Sequence, residues 1–135
     1  MPISASILRK MVGNNIAIDL DGTLAQMSPP SMWGDLKHFG PVIPGAAQAM
    51  KDLKKLGYRI IIYTARINGE NCPVKKVKGY VEKWLKDNDI VYDQVWDQMG
   101  KPASSFIIDD RAIEFTDWPS ALEKVINKKI FKKVQ

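Results

Sequence analysis

The sequence predicts an α/β layered fold with a mainly parallel sheet, and three observations predict it. Apolar strands alternate with stretches of helical periodicity, in the order strand, helix, strand, helix, strand, strand, helix. Three of the strands end in polar residues: Asp19 and Asp21, Thr64, and Asp109 with Asp110. Open parallel sheets bind ligands at the C-terminal ends of their strands. Finally, 135 residues with 45% hydrophobic and 26% charged content suit one ordinary core, so residues 1–135 read as a single domain.

Each element has its own warrant. Residues 1–14 read as a lead-in segment with at most a turn of helix. The first strand covers about Asn15 to Asp19, where Ile16, Ala17 and Ile18 are apolar or β-branched. Residues 24–43 hold Pro29, Pro30, Gly34, Gly40 and Pro41 without periodicity, which predicts a loop with room for a short hairpin. Pro44-Gly45 opens a helix with Ala46, Met50, Leu53 and Leu56 inward, and Gly57 ends it. Tyr58 to Thr64 is a strongly apolar strand, as in the middle of a parallel sheet. Asn68 to Pro73 is a polar loop. A second helix covers Val74 to Asp87 with Val77, Val81, Trp84 and Leu85 as its buried stripe. Val91 to Trp96 is a short strand, and Ser105 to Ile108 a buried one. Asp117-Trp118-Pro119 opens a last helix with Leu122, Val125, Ile126 and Ile130 inward. Residues 128–135 form a basic tail.

Composition excludes several chemistries. One cysteine, Cys72, precludes an internal disulfide and suits a reducing cytoplasm. One Cys and one His (His38) are too few for an ordinary Cys/His zinc site or for most hydrolase triads. Acid–base work therefore falls to carboxylates. No apolar run approaches a membrane span, and Met1 to Asn15 lacks the long apolar stretch of a signal peptide. The net charge of +5 favours anionic ligands in general. Much of it sits in Lys124, Lys128, Lys129, Lys132 and Lys133, which read as a solvated face.

The chemistry centres on Asp19-Leu20-Asp21-Gly22-Thr23. In a strand, residues i and i+2 share a side, so both carboxylates can face one pocket as the strand ends. They repel unless a cation or a proton lies between them. Mg²⁺, a hard cation that takes one or two carboxylates plus phosphate oxygens, suits the pair. An EF-hand fails, because Thr23, Leu24 and Pro30 stand where its third Asp, Gly and Glu belong. A P-loop at Gly100-Lys101 fails, because Pro102 follows the lysine and Val95 stands at the first glycine.

With these pieces in place, the chain resembles the haloacid dehalogenase superfamily of phosphohydrolases. Asp19 to Thr23, Thr64 after Ile60-Ile61-Ile62-Tyr63, Lys101, and Asp109-Asp110 after Phe106-Ile107-Ile108 match four motifs in family order. The resemblance implies a three-layer Rossmann-like fold. Neither insertion point, after Thr23 or after Thr64, holds enough residues for a cap domain. Asp109-Asp110-Arg111 with Asp117-Trp118 is similar to a subgroup of short capless phosphatases.

The resemblance also implies roles. Asp19 is then the nucleophile, Asp21 the general acid and base, Thr64 a hydrogen-bond donor to phosphoryl oxygens, and Lys101 a positive charge on the transferring group that also neutralises the aspartates. Gly22, Thr64, Ala65 and Lys101 make the phosphate site, with Arg66 and Arg111 either gripping substrate anions or pairing with local acids. Mg²⁺ is the implied cofactor, held by Asp19, the Asp21 carbonyl and the fourth motif. Asp110 is favoured as its direct ligand, with Asp109 holding Lys101 or a metal-bound water. Trp33 either stacks on a substrate or packs. The expected function is a Mg²⁺-dependent phosphomonoesterase acting on a small molecule or a macromolecule end. Nucleic acid is one candidate partner, a neighbouring subunit another, and a membrane is not expected. A non-catalytic binding module of the same fold is the alternative; a metal-free dehalogenase is disfavoured by the paired Asp109-Asp110.

Overall fold

A computed structural model describes residues 4–5, 13–68 and 73–128. The sheet contains β1 (Asn15–Asp19), β2 (Arg59–Tyr63), β3 (Gln94–Val95) and β4 (Phe106–Ile108). Its order is β3-β2-β1-β4, and all three pairings are parallel. Among the described residues three helices accompany it: α1 (Ala46–Lys55), α2 (Val74–Asp87) and α3 (Trp118–Asn127). A short 3-10 turn covers Pro30–Met32. The α/β fold without a cap is therefore as the sequence predicts.

The two central strands are buried because both their faces are covered. Ala17, Ile18, Ile60 and Ile62 have no exposed surface, and Ile16 and Ile61 have almost none. Continuous apolar runs of this kind are what a strand in the middle of a parallel sheet requires. Met50 from α1 joins the core, with Leu53 packed at its margin. Val81 and Leu85 from α2 join it too, and Trp84 packs against it. The loop between β1 and α1 contains the expected hairpin-like pairing. Gln26 N–H donates to Pro41 O, and Ile43 N–H donates to Leu24 O. Gly40 is required there, because a Cβ would lie 2.0 Å from the Gln26 carbonyl oxygen.

Four expectations are corrected. Leu56 closes α1 but points outward, 73% exposed. The strand expected over Val91–Trp96 shortens to Gln94–Val95, since the Asp93 carboxylate itself accepts from Ile60 N–H at 2.7 Å. β4 is not buried: it is an edge strand, and α1 and α2 pack on β2 and β3 instead. The α3 stripe is likewise not inward, with Leu122, Val125 and Ile126 all more than half exposed. Its start is as expected, with the Asp117 carboxylate accepting from Ser120 N–H as the N-cap. The helical turn within residues 1–14, Cys72, Ile130 and the tail beyond Lys128 lie outside the described residues. Among the described residues, no helix is long and apolar enough to cross a membrane.

Candidate active site

Register brings the polar strand ends together. Asp19 is the pairing partner of Tyr63 on one side, while Ile18 pairs with Ile108 on the other. Asp19, Tyr63 and Asp109 therefore stand at one level of the sheet. Just past β1 the chain turns tightly: the N–H groups of Thr23, Leu24 and Ala25 all point to the Leu20 carbonyl. Gly22 takes φ +90 in this turn, a conformation costly for any residue with a Cβ. A Cβ on Gly22 would also come within 2.3 Å of Asp110 Oδ2. The glycine thus does two things: it permits the turn and lets the fourth motif approach the first.

Asp19, Asp109 and Asp110 each offer an oxygen within 4.8 Å of the others. The three are not equivalent. Asp109 is held by the chain itself, accepting from the Tyr63 hydroxyl on Oδ2 and from Arg111 N–H on Oδ1 at 2.7 Å. Asp110 Oδ1 is buried with no hydrogen-bond partner. Buried polar atoms are rarely left so, and an orphan among carboxylates fits an ion-binding position. Burial, a hydrogen bond with Asp110 and the charge of Asp109 push the Asp19 carboxyl up to about 8. Thr23 Oγ1 donates to Asp19 Oδ2 at 3.2 Å and orients it. Burial and the Asp109 contact keep the Tyr63 phenol protonated, so it stays a donor.

Around this centre the other expected residues fall into two groups. Thr64 is brought in: it is 7% exposed, directly after β2, and its oxygen accepts from Arg66 N–H at 3.1 Å. The hydroxyl hydrogen is then left to donate. Asp21 is brought in too, but it is held. Arg66 forks onto it, Nε to Oδ2 and Nη2 to Oδ1, each at 2.8 Å. Of the two roles open to Arg66, the structure has it on a local acid. The same guanidinium donates to Leu36 O at 3.1 Å and stacks 4.1 Å above the Phe39 ring. Ala65 and Lys101 line the same cleft, of about 1540 Å³, as do Trp33 and Arg111. Lys101 is exposed and forms no ion pair with the aspartates among the described residues. Its loop is braced separately, by Trp96 Nε1 on Gly100 O and by the Lys78–Asp97 pair.

Sequence reasoning missed Tyr63 and Phe39. Tyr63 carried a signal: it is the last residue of the strand that Thr64 follows, and alternation separates its direction from that of Thr64. Phe39 carried none, because it comes from a loop without periodicity.

Comparison with known proteins gives the fold and no more. No family model matches the chain, and no curated relative does. A solved structure of a conserved protein from Bacteroides thetaiotaomicron is similar, with 24% identity and a TM-score of 0.54. It covers 85% of this chain and 91% of its own. A crystal structure from Vibrio cholerae aligns over 86% of this chain and 99% of its own, at 23% identity and a TM-score of 0.48.

Proposed function

We propose that this chain is a Mg²⁺-dependent phosphomonoesterase working through an aspartyl-phosphate at Asp19. The observation that carries this reading is the grouping of Asp19, Asp109 and Asp110 at the C-terminal edge of a parallel sheet, with one Asp110 oxygen buried and unpartnered. The donor set fits a hard divalent cation, which Asp19 and Asp110 would hold together with the Asp21 carbonyl. Such a cation supplies positive charge that keeps Asp19 ionised and stabilises the transferring phosphoryl group.

The chain's own residues do the rest. An Asp19 carboxylate oxygen attacks phosphorus, the bond from phosphorus to the ester oxygen breaks, and the departing oxygen takes a proton from Asp21. Water then attacks phosphorus, gives its proton to Asp21, and the bond from Asp19 to phosphorus breaks to release phosphate. Thr64 donates to a phosphoryl oxygen, and Lys101 supplies charge from the cleft wall. Tyr63 keeps Asp109 in place. A capless site of this size suits a substrate that reaches it from open solvent, and the single cysteine suits a cytoplasmic setting.

One observation favours the second reading, a binding module with little turnover: both Asp21 oxygens are engaged by Arg66. Phosphate release from a panel of phosphomonoesters, with Mg²⁺ and with EDTA, separates the two. Release that needs Mg²⁺ and falls at least a thousandfold in Asp19→Asn is expected. Substantial turnover in that variant would sink the mechanism.

A further inference from the structure

Helix α3 turns its polar side to the protein and its apolar side away from it. Successive helical residues are about 100° apart. Trp118, Leu122, Val125 and Ile126 therefore share one side, and Ser120, Glu123, Lys124 and Asn127 the other. The polar side faces inward, lining a groove against Ala112, Ile113 and Glu114. Two lysines tie it there: Lys124 Nζ donates to Glu114 O at 3.2 Å, and Lys128 Nζ to Asp110 O at 2.8 Å. Helices α1 and α2 do the opposite, burying Ala46 and Met50, and Val77, Val81 and Leu85. No residue of α3 is buried.

The outward side is continuous and apolar. The Phe115 ring meets Trp118 edge to face, 5.2 Å between centroids, and extends the stripe by one residue. Phe115, Trp118, Leu122, Val125 and Ile126 are each between 57% and 70% exposed. An aromatic side chain offers about 150–250 Å² and an aliphatic one somewhat less, so the five present on the order of 600 Å². A lone soluble chain rarely shows that much contiguous apolar surface. A specific dimer buries about 1,200 Å² or more in total, which two such patches supply.

We propose that the apolar side of α3 is a dimer interface, on which a second copy of this chain seats its own α3 antiparallel across a two-fold axis. A two-fold contact must be self-complementary, and this stripe carries no charge to oppose its copy. Antiparallel pairing also sets each helix N-terminus beside the partner's C-terminus, which the helix dipoles favour. The lysine ties fix the helix before association and lower the ordering cost. A lipid surface fits less well. Residues 117–128 hold two acidic side chains, Asp117 and Glu123, against two basic ones, Lys124 and Lys128, and so lack the basic excess that draws a helix to anionic lipid.

Leu122 stands midway along the stripe, so in this dimer it meets its own copy across the axis. Sedimentation equilibrium of the full chain at 150 mM salt, from about 1 to 200 μM, should show a reversible monomer–dimer equilibrium with Kd of about 10 μM or tighter. Leu122→Glu and Leu122→Lys each oppose like charges at the axis, and each should weaken the dimer at least a hundredfold. Far-UV circular dichroism should not change, because Leu122 has no buried contact to lose. An equimolar mixture of the two variants opposes unlike charges and should dimerise again. A wild-type chain that stays monomeric at 200 μM overturns the proposal, as does a dimer that Leu122→Glu leaves intact. A mixture that stays monomeric rejects self-pairing. A monomer that floats with phosphatidylcholine–phosphatidylglycerol vesicles, and loses this in Leu122→Glu, would assign the stripe to a membrane surface instead.

Discussion

At the scale of single residues, Arg66 decides what Asp21 can do. A carboxylate that accepts from a guanidinium on both oxygens is held in place with both oxygens engaged. On the proposed mechanism, one of those contacts must open before Asp21 can protonate a leaving group. Arg66 is on that reading a positioning residue, set in turn by Phe39 and the Leu36 carbonyl. The leaving group provides a sensitive test. A phenolate departs without a proton, whereas an alkoxide needs one. In Arg66→Gln, kcat/KM for an alkyl phosphate should fall about ten- to a hundredfold while that for an aryl phosphate changes less than threefold. Equal losses on both would mean that Arg66 acts on folding or on phosphate binding instead. Gly22 is the second residue with a disproportionate role. Gly22→Ala forces a side chain into positive φ and into Asp110, so it should cost at least about 2 kcal/mol in chemical denaturation and weaken Mg²⁺ binding. A variant as stable as the parent would mean that the turn is not as described.

At the scale of elements, the same kind of residue carries different weight in β2 and β4. Ile61 and Ile107 are each the middle of an isoleucine-rich parallel strand, but Ile61 is 2% exposed and Ile107 38%. Truncating a buried isoleucine removes its contacts and leaves a cavity. Ile61→Ala should therefore cost about 3 kcal/mol or more, and Ile107→Ala about 1 kcal/mol, in urea unfolding. Equal costs would show that β4 is covered in solution. The sequence does not separate the two strands, because local apolar content is the same whether a strand has two neighbours or one. Similarly, α3 has a regular apolar stripe and a good N-cap, and both are local properties. Whether the stripe meets a sheet depends on where the chain carries the helix.

At the scale of the whole molecule, the acidic cluster couples stability to pH and, on the proposed function, to metal. The Asp19 carboxyl is raised from its ordinary range to about 8, first by burial, then by the hydrogen bond with Asp110 and the Asp109 charge. A carboxyl raised in the folded state contributes stability at low pH that is lost as pH climbs from the ordinary carboxylate range through about 8. The metal-free protein should accordingly lose about 1 kcal/mol or more, several degrees of Tm, between pH 5 and pH 8.5, solvent screening being allowed for. Mg²⁺ at a hundredfold its Kd should restore about 2.7 kcal/mol at the upper end. Asp19→Asn should flatten the pH slope. A metal-free Tm that rises over this range would contradict the cluster.

The sequence by itself determined the parts that depend on near neighbours. Strand alternation placed Asp19 and Asp21 at one end of an apolar run. Helical spacing marked out Val74 to Asp87, and Asp117 with Pro119 marked the start of the last helix. The alternation of strands and helices was enough for a parallel α/β sheet, and the polar strand ends were enough to locate the edge where Asp19, Asp109 and Asp110 gather. Tertiary structure alone decided everything that depends on register and on sheet order. Register put Tyr63 beside Asp109 and left an Asp110 oxygen unpartnered. Sheet order made β4 an edge. The path of the 24–43 loop brought Phe39 and Leu36 to Arg66, and Trp33 under Arg111. The physical reason is the same in each case. Propensity and periodicity act over a few residues, whereas these contacts join segments tens of residues apart, whose meeting is fixed only when the whole core is packed.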